Sequence, residues 1–224
     1  MAPSNDLNID ESDVYSLFPT SVWKVQVASD VCNRLNSAVR ASLEVLNPQF
    51  VELAAGESWQ SDHQLHALAE YHELVSCIRH TTGTILQFLK VGVAEIELTG
   101  CWANVAARGA SHPMHSHPNN FLSGVYYVQT SPGADTINFH DPRPQAVILK
   151  PPVTELTGQN VDPVVIKVTN GTLLMFPSYL THSVSPSESN EQRISISFNL
   201  MFSAFAENLS QPMWDARLQE KMGS

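Results

Sequence analysis

Three histidines and one arginine in the second half of the chain are the residues best suited to chemistry. His115 and His117 stand two residues apart, and His182 and Arg193 follow much later. Because alternate residues of a strand share a face, the imidazoles of His115 and His117 can point at one metal ion. Two ligands from one strand and a third from a distant strand would suit a mononuclear iron site inside a small barrel.

His112 belongs to the same cluster but is expected to lie outside the site. The strand period of two places it on the face opposite His115 and His117. A histidine cluster is by itself equally typical of a polar rim or of a hydrogen-bonded turn. The metal interpretation therefore depends on the downstream segment.

The downstream segment GTLLMFPSYLTHSV predicts a strand, a tight turn and a second strand that opens with His182. The run QRISISFNL then places four polar residues on one strand face: Arg193, Ser195, Ser197 and Asn199. Four inward polar side chains would be costly in a sealed core, so this pattern indicates an interior that holds a polar ligand. Arg193 suits a carboxylate because its planar fork donates two parallel hydrogen bonds, to which Ser195 could add a third.

The N-terminal part of the chain predicts supporting elements. Residues 15–27 favour a strand with Val22 and Val25 in or near the core, and a helix follows to about Leu46. A second helix is expected over residues 63–90, with Gly83 as a point where it could break. Four histidines on that segment are interpreted as surface or helix-packing residues rather than ligands: His63, His66, His72 and His80.

From Glu95 onward, short strand-like runs alternate with Gly, Pro, Asn and Asp, which is typical of a sandwich or partly closed barrel. The expected fold is mainly β with N-terminal helices (α+β) around a double-stranded β-helix core of the jelly-roll, cupin-like type. We predict a single domain over residues 1–224. It would contain an N-terminal strand and helices (14–92), a catalytic core (93–204) and a C-terminal tail (205–224).

The composition of the chain indicates which classes of partner are unfavourable. The chain has 12 Lys and Arg against 22 Asp and Glu, a formal charge of -10, which disfavours nucleic acid. No run approaches the roughly 20 apolar residues of a membrane helix. The 3 cysteines show no disulfide framework or zinc spacing. These features predict a soluble, cytoplasmic protein without a membrane or nucleic-acid partner, and uncovered strand edges would suit a homodimer.

Three segments together resemble a known family: WANVAARGASHPMHSHPNNFLSGVYYV, INFHDPR, and the stretch from FPS to RISISFN. They are similar to the Fe(II)/2-oxoglutarate-dependent oxygenase superfamily, and more narrowly to a small 2OG-Fe(II) oxygenase group of bacteria and phages. The resemblance covers roughly residues 102–202. It implies that His115 and His182 are the two metal histidines and that Fe(II) and 2-oxoglutarate are the cofactor and co-substrate.

The resemblance also implies that Arg193, assisted by Ser195, pairs with the distal carboxylate of 2-oxoglutarate, whose other end would chelate the iron. Three further residues are candidates for co-substrate contact. Only one of the adjacent tyrosines in the YYV run can face the interior, and Tyr126 is the chosen one. Asn104 and Asn199 could bond the co-substrate or simply satisfy strand ends.

Position 117 departs from the family pattern, which carries a carboxylate two residues after the first histidine. Three interpretations are open. His117 is a direct ligand of a three-histidine site, which is the preferred prediction. Alternatively, Asp135 or Asp141 from a neighbouring strand completes the triad, or water takes the third position.

The function that the resemblance implies is an oxygenase that couples decarboxylation of 2-oxoglutarate to hydroxylation of a C–H bond, with dioxygen as the second co-substrate. No catalytic residue beyond the metal ligands is expected, and the substrate is an unidentified small molecule or peptide. One alternative is a cupin-type three-histidine metalloenzyme that does not use 2-oxoglutarate. Another is a non-enzymatic jelly-roll interaction module. Arg193 and Ser195 discriminate between the oxygenase and the cupin-type enzyme, because only the oxygenase needs them to bind 2-oxoglutarate.

Overall fold

The computed structural model describes residues 11–92, 95–148 and 150–203. The predicted C-terminal tail, 205–224, lies outside these residues, and the single-domain organisation stays a prediction. None of the helices among the described residues is long and apolar enough to cross a membrane.

The N-terminal elements form a strand, two helices and a short second strand. They are β1 (Trp23–Gln26), α1 (Ser29–Leu46), β2 (Ser58–Gln60) and α2 (His72–Phe88), with 3-10 turns at Phe50–Glu52, Leu65–Ala67 and Ala69–Tyr71. Helix α1 lies where the sequence predicts it and buries a stripe spaced by four residues, Leu35, Val39 and Leu43. The strand prediction was wrong for Val25, which is 37% exposed, whereas Val22 packs against a core cluster.

Helix α2 is shorter than the predicted helix over residues 63–90. The backbone carbonyl of His63 accepts a hydrogen bond from the N–H of Cys101, and Gln64 forms a bridge with Cys101. This pairing with a strand holds residues 63 and 64 out of a helix, which therefore begins only at His72. The predicted break does not occur, because α2 continues through Gly83 to Phe88.

The described residues contain eight further strands: β3 (Ile96–Ala106), β4 (His112–His115), β5 (Leu122–Gln129), β6 (Thr136–Phe139), β7 (Val164–Lys167), β8 (Thr172–Pro177), β9 (His182–Val184) and β10 (Arg193–Phe202). A 3-10 turn, Pro144–Val147, lies between β6 and β7. One sheet has six strands in the order β1-β8-β5-β10-β3-β2, and the other has four in the order β4-β9-β6-β7. All strand pairs are antiparallel.

Two hydrophobic clusters lie on the two faces of the six-stranded sheet. The first joins α1 and α2 to that sheet and includes Leu35, Ile78 and Ile196. The second fills the space between the two sheets and includes Phe139 and Phe176. Strand β10 therefore directs its isoleucines towards the helices and its polar residues towards the smaller sheet.

Candidate metal centre and co-substrate cleft

The three histidines meet between the two sheets. His115 ends β4 and pairs across the ladder with His182, which begins β9. His117 follows β4, where its backbone N–H donates to the carbonyl of Ser178 at 2.9 Å. One ligand nitrogen from each ring lies within 4.8 Å of the other two. The ring centroids are 4.3 Å apart for His115 and His182, and 5.0 and 5.1 Å from His117 to each of them.

Hydrogen bonds orient two of the rings for metal binding. Nδ1 of His115 lies 2.8 Å from the carbonyl of Pro113, and Nδ1 of His182 lies 2.9 Å from the carbonyl of Leu180. An imidazole that donates its Nδ1–H to a carbonyl keeps a lone pair on Nε2, which is how metal-bound histidines are usually held. The donor set therefore fits a divalent transition metal.

Burial keeps the imidazoles of His117 and His182 neutral. It lowers the pKa of His117 to about 3 and the pKa of His182 to about 4, and the neighbouring histidines act in the same direction. Only a neutral imidazole can ligate a metal, so little protonation competes with metal binding at neutral pH.

The third position of the group is an imidazole. Across residues 11–92, 95–148 and 150–203, the three histidines are the one group of three or more His, Cys, Asp or Glu side chains close enough to share a metal. Asp141 instead accepts two hydrogen bonds from the guanidinium of Arg143, at 2.6 and 2.9 Å. Asp135 is not part of the group either. The geometry thus favours the three-histidine interpretation over a carboxylate from a neighbouring strand.

Arg193 is a buried cation in the same cleft. Its residue surface is 6% exposed, and its guanidinium carbon lies 5.2 Å from the ring centre of Tyr127. Within the part of the chain that the structure describes, Arg193 forms no ion pair with a carboxylate, and its Nε has no hydrogen-bond partner. A buried charge without a counter-charge lowers the stability of the fold, so an anionic ligand beside Arg193 would be favourable.

A cavity of about 100 Å³ connects Arg193 to the three histidines. Ser195, which is 6% exposed, lines it beside Arg193. Trp102 forms part of the wall and its ring centre lies 6.1 Å from that of His117. The cleft therefore offers a metal group at one place and a cation at another, which suits a ligand with a chelating end and an anionic end.

Tyr126 lies on the wrong side of its strand for the predicted role. It is fully buried in the cluster beneath the helices, and its hydroxyl donates to Oδ1 of Asn36 in α1 at 2.8 Å. Tyr127, the neighbour, pairs with Ser195 in the ladder and occupies the cleft side. The prediction for Tyr126 is therefore wrong, and Tyr127 is the tyrosine that lies beside Arg193.

The two predicted asparagines have different positions. Asn104 lines the cleft, and its amide bonds two other side chains that also line it, Gln60 and Ser197. Asn199 is 5% exposed and accepts a hydrogen bond of 2.7 Å from Ser123, away from the lining residues of the cleft. Asn199 thus bonds its ladder partner on the neighbouring strand, β5, rather than lining the cleft.

His112 and Gln60 line the cleft although the sequence did not single them out. A β-bulge separates His112 from His115: three residue steps of β4 span two of β9, so His112 returns to the cleft face. Burial lowers the pKa of His112, and Arg193 and His115 lower it further. Pro113 was an available signal, since proline in a sheet is found at edges and bulges. Gln60 lies on a three-residue strand that no pattern predicted.

The part of the chain that contains the site matches a known protein family. Residues 100–199 match the family model described as "Putative 2OG-Fe(II) oxygenase". These residues belong to the 2OG-Fe(II) oxygenase family. Within them lie the three histidines, Arg193 and Ser195, so the predicted family is confirmed. Fe(II) and 2-oxoglutarate, the cofactors predicted from the sequence, are those that define this family. No curated protein matches the chain.

Solved structures that share this fold include two prolyl hydroxylases. A Pseudomonas putida prolyl-4-hydroxylase is 13% identical with a TM-score of 0.56, and the match covers 82% of this chain and 93% of that one. A Trichoplax adhaerens prolyl hydroxylase, solved with a peptide fragment of hypoxia inducible factor, is 13% identical with a TM-score of 0.58, covering 85% and 87%.

HygX from Streptomyces hygroscopicus, solved with nickel and 2-oxoglutarate bound, is 12% identical with a TM-score of 0.54, covering 82% and 83%. At these identities the likeness concerns the fold alone. It confirms the predicted double-stranded β-helix core with N-terminal helices.

Proposed function

We propose that this 2OG-Fe(II) oxygenase is a dioxygenase that couples decarboxylation of 2-oxoglutarate to hydroxylation of a C–H bond in a small-molecule or peptide substrate. The observation that carries the proposal is Arg193: a 6% exposed cation without a carboxylate partner among the described residues, in one cavity with three histidines. A dicarboxylate with a chelating 2-oxo acid end would satisfy both features at once.

The chain's own residues have separate roles in this proposal. His115, His117 and His182 would hold Fe(II), which when bound supplies the site where 2-oxoglutarate and dioxygen react. Arg193 would bind the distal carboxylate through its fork, with Ser195 as a further donor. Phe176, whose ring centre lies 4.8 Å from that of His182, excludes water behind that ligand.

Charge balance supports anionic co-substrate binding. Three neutral imidazoles leave both charges of the metal uncompensated, and Arg193 adds a third positive charge in the same cavity. The two charges of 2-oxoglutarate offset most of this. We therefore expect metal and 2-oxoglutarate to strengthen each other's binding by the same factor, as thermodynamic linkage requires.

The three-histidine group also favours a second candidate, a cupin-type metalloenzyme that does not use 2-oxoglutarate. The two candidates differ at Arg193. In a cupin-type enzyme, Arg193→Ala would leave metal-dependent turnover insensitive to 2-oxoglutarate, as in the wild type. In the proposed dioxygenase, the same variant loses 2-oxoglutarate-dependent turnover.

The decisive experiment is an anaerobic titration of the protein with Fe(II) and then 2-oxoglutarate, followed by the visible metal-to-ligand charge-transfer absorption. Oxygen is then admitted and succinate is measured with pools of candidate substrates. The dioxygenase predicts a saturable band and iron-dependent succinate. Stoichiometric Fe(II) binding without the band would favour the cupin-type enzyme, and absence of stoichiometric Fe(II) binding would favour a non-enzymatic module.

The remaining expectations from the sequence stay predictions. They are a cytoplasmic location, a homodimer, and the lack of a nucleic-acid partner.

A further inference from the structure

Three polar side chains on adjacent strands form a hydrogen-bonded row across one wall of the cleft. Nε2 of Gln60 donates to Oδ1 of Asn104 at 3.0 Å, and Nδ2 of Asn104 donates to Oγ of Ser197 at 2.9 Å. The three residues belong to β2, β3 and β10, which are neighbours in the six-stranded sheet. All three line the cavity that contains the histidines.

The direction of these bonds determines what Ser197 can offer a ligand. Asn104 uses its oxygen to accept from Gln60, so it presents an N–H group to Ser197. The oxygen of Ser197 is therefore an acceptor in the row, and its own proton has no acceptor among the described residues. Because Ser197 is partly exposed and lines the cavity, that proton is available to a ligand in the cleft.

Ser197 lies at the histidine end of the cleft. It pairs in the ladder with Trp102, whose ring centre is 6.1 Å from that of His117. A smaller cavity of about 30 Å³ is also lined by Arg193 and Asn104, but by neither Ser197 nor the three histidines. Ser197 lies four residue steps along the strand from Arg193, a distance of about 13 Å.

We propose that the Ser197 hydroxyl donates a hydrogen bond to the carboxylate at the metal-binding end of a bound 2-oxo acid. Gln60 and Asn104 are positioning residues that do not touch this carboxylate. Asn104 donates to the oxygen of Ser197, so the hydroxyl proton of Ser197 is directed to the ligand, and Gln60 fixes the orientation of the Asn104 amide. The inference rests on the proposed function, since it assigns a further contact within the same cleft. Gln60 extends the functional site beyond residues 100–199, the segment that matches the family.

The test uses two probes, 2-oxoglutarate and 2-oxobutyrate, which share the 2-oxo acid end but differ in the distal carboxylate. The Kd of each is measured anaerobically on the Fe(II) protein from the charge-transfer band. Ser197→Ala should weaken both probes by a similar factor, roughly 10-fold or more, because a hydrogen bond to a charged group is lost. Arg193→Ala should weaken 2-oxoglutarate alone.

The positioning role has its own variants. Gln60→Ala should weaken both probes by about 3-fold, the effect of a neutral hydrogen bond, and should add nothing in a Ser197→Ala background. Asn104→Asp, which keeps the shape but replaces the donor N–H by an acceptor oxygen, should match Ser197→Ala. Gln64→Ala is the matched control, because the side chain of this exposed glutamine makes no hydrogen bond in the described residues.

The outcomes separate this inference from the function on which it rests. If the wild type gives no band with either probe, the proposed function fails and the inference fails with it. If the wild type binds both probes and Ser197→Ala binds them equally well, only the inference is overturned. A loss confined to 2-oxoglutarate would also overturn it, because the hydroxyl would then contact the distal end. Unchanged Fe(II) stoichiometry and melting temperature in each variant show that the fold is intact, and Gln60→Ala, at the exposed edge, provides an independent result if Ser197→Ala does not fold.

Discussion

Replacing Arg193 by methionine should have opposite effects on stability and on 2-oxoglutarate binding. Arg193 is 6% exposed and lacks a carboxylate partner among the described residues, while its guanidinium lies over the ring of Tyr127. Methionine is unbranched and apolar, so it can fill the space of the aliphatic part of the arginine without its charge. The substitution therefore removes an uncompensated buried cation from the ligand-free protein.

The magnitudes follow from these contacts. Replacing a buried ion pair by apolar residues is often neutral or stabilising by about 1–4 kcal/mol, and an unpaired cation lacks even the offsetting attraction of a partner. The lost cation–π contact, about 1–2 kcal/mol, offsets part of this gain. We expect the metal-free variant to gain about 1–2 kcal/mol, which for a chain of this size raises the melting temperature by about 2–8 °C. Loss of two charge-assisted hydrogen bonds at about 1.5–3 kcal/mol each should weaken 2-oxoglutarate binding by at least about 100-fold.

Two assays on the same preparations check both effects. Denaturant unfolding of the metal-free proteins gives the change in the free energy of unfolding, and the anaerobic charge-transfer titration gives the Kd of 2-oxoglutarate. Ser37→Ala, on the exposed surface of α1, serves as a control for the preparation. If the metal-free Arg193→Met protein is less stable than the wild type and its 2-oxoglutarate binding is unchanged, Arg193 is not an uncompensated cation that binds the co-substrate.

Four further predictions concern the metal group and its support. His117→Ala should weaken Fe(II) binding by at least about 100-fold, more than the loss of a residue that only orients a ligand, and full Fe(II) occupancy at stoichiometric metal would contradict direct ligation. Between pH 7 and pH 5 the unfolding free energy of the metal-free protein should fall by about 1–2 kcal/mol for each of His117 and His182. Their folded pKa values are about 3 and about 4, so in this range these two histidines bind protons only in the unfolded chain. Urea unfolding at several pH values measures the change, and an unfolding free energy that does not vary with pH would contradict the prediction. Gly124→Ala should destabilise the protein by about 3 kcal/mol, because its Cβ would collide with the ring of Phe198; an unchanged melting temperature would exclude that clash. Tyr126→Phe should lose about 1 kcal/mol of stability with its hydrogen bond to α1 but leave the Kd of 2-oxoglutarate unchanged, and a weakened Kd would restore the tyrosine to the site.

Several features of the site could be predicted from local patterns. Strand β10 alternates strictly, so the shared face of Arg193, Ser195 and Ser197 follows from the period of two. The apolar spacing of four residues likewise predicted α1, including its buried Leu35 and Val39. These predictions succeed because each depends on residues within one uninterrupted element.

Other features depend on interruptions that a period cannot cross. Tyr126 was chosen on the assumption that the turn after His117 shifts the alternation by one residue, but the ladder partner Ser195 places Tyr127 on the cleft face instead. His112 was assigned to the opposite face because the bulge in β4 could not be counted. In both cases the orientation of the side chain is set by a neighbouring strand.

The sequence by itself indicated which side chains could form the site, and the tertiary structure showed how they are arranged. Residue types and spacing were enough to nominate three histidines, an arginine and a family, because these depend on what each side chain can bind. Only the folded sheets decided that Gln60 meets Asn104, 44 positions further along the chain, and that Ser197 receives its bond from that asparagine. Contacts between distant strands depend on register, and register is a property of the pair of strands rather than of either one.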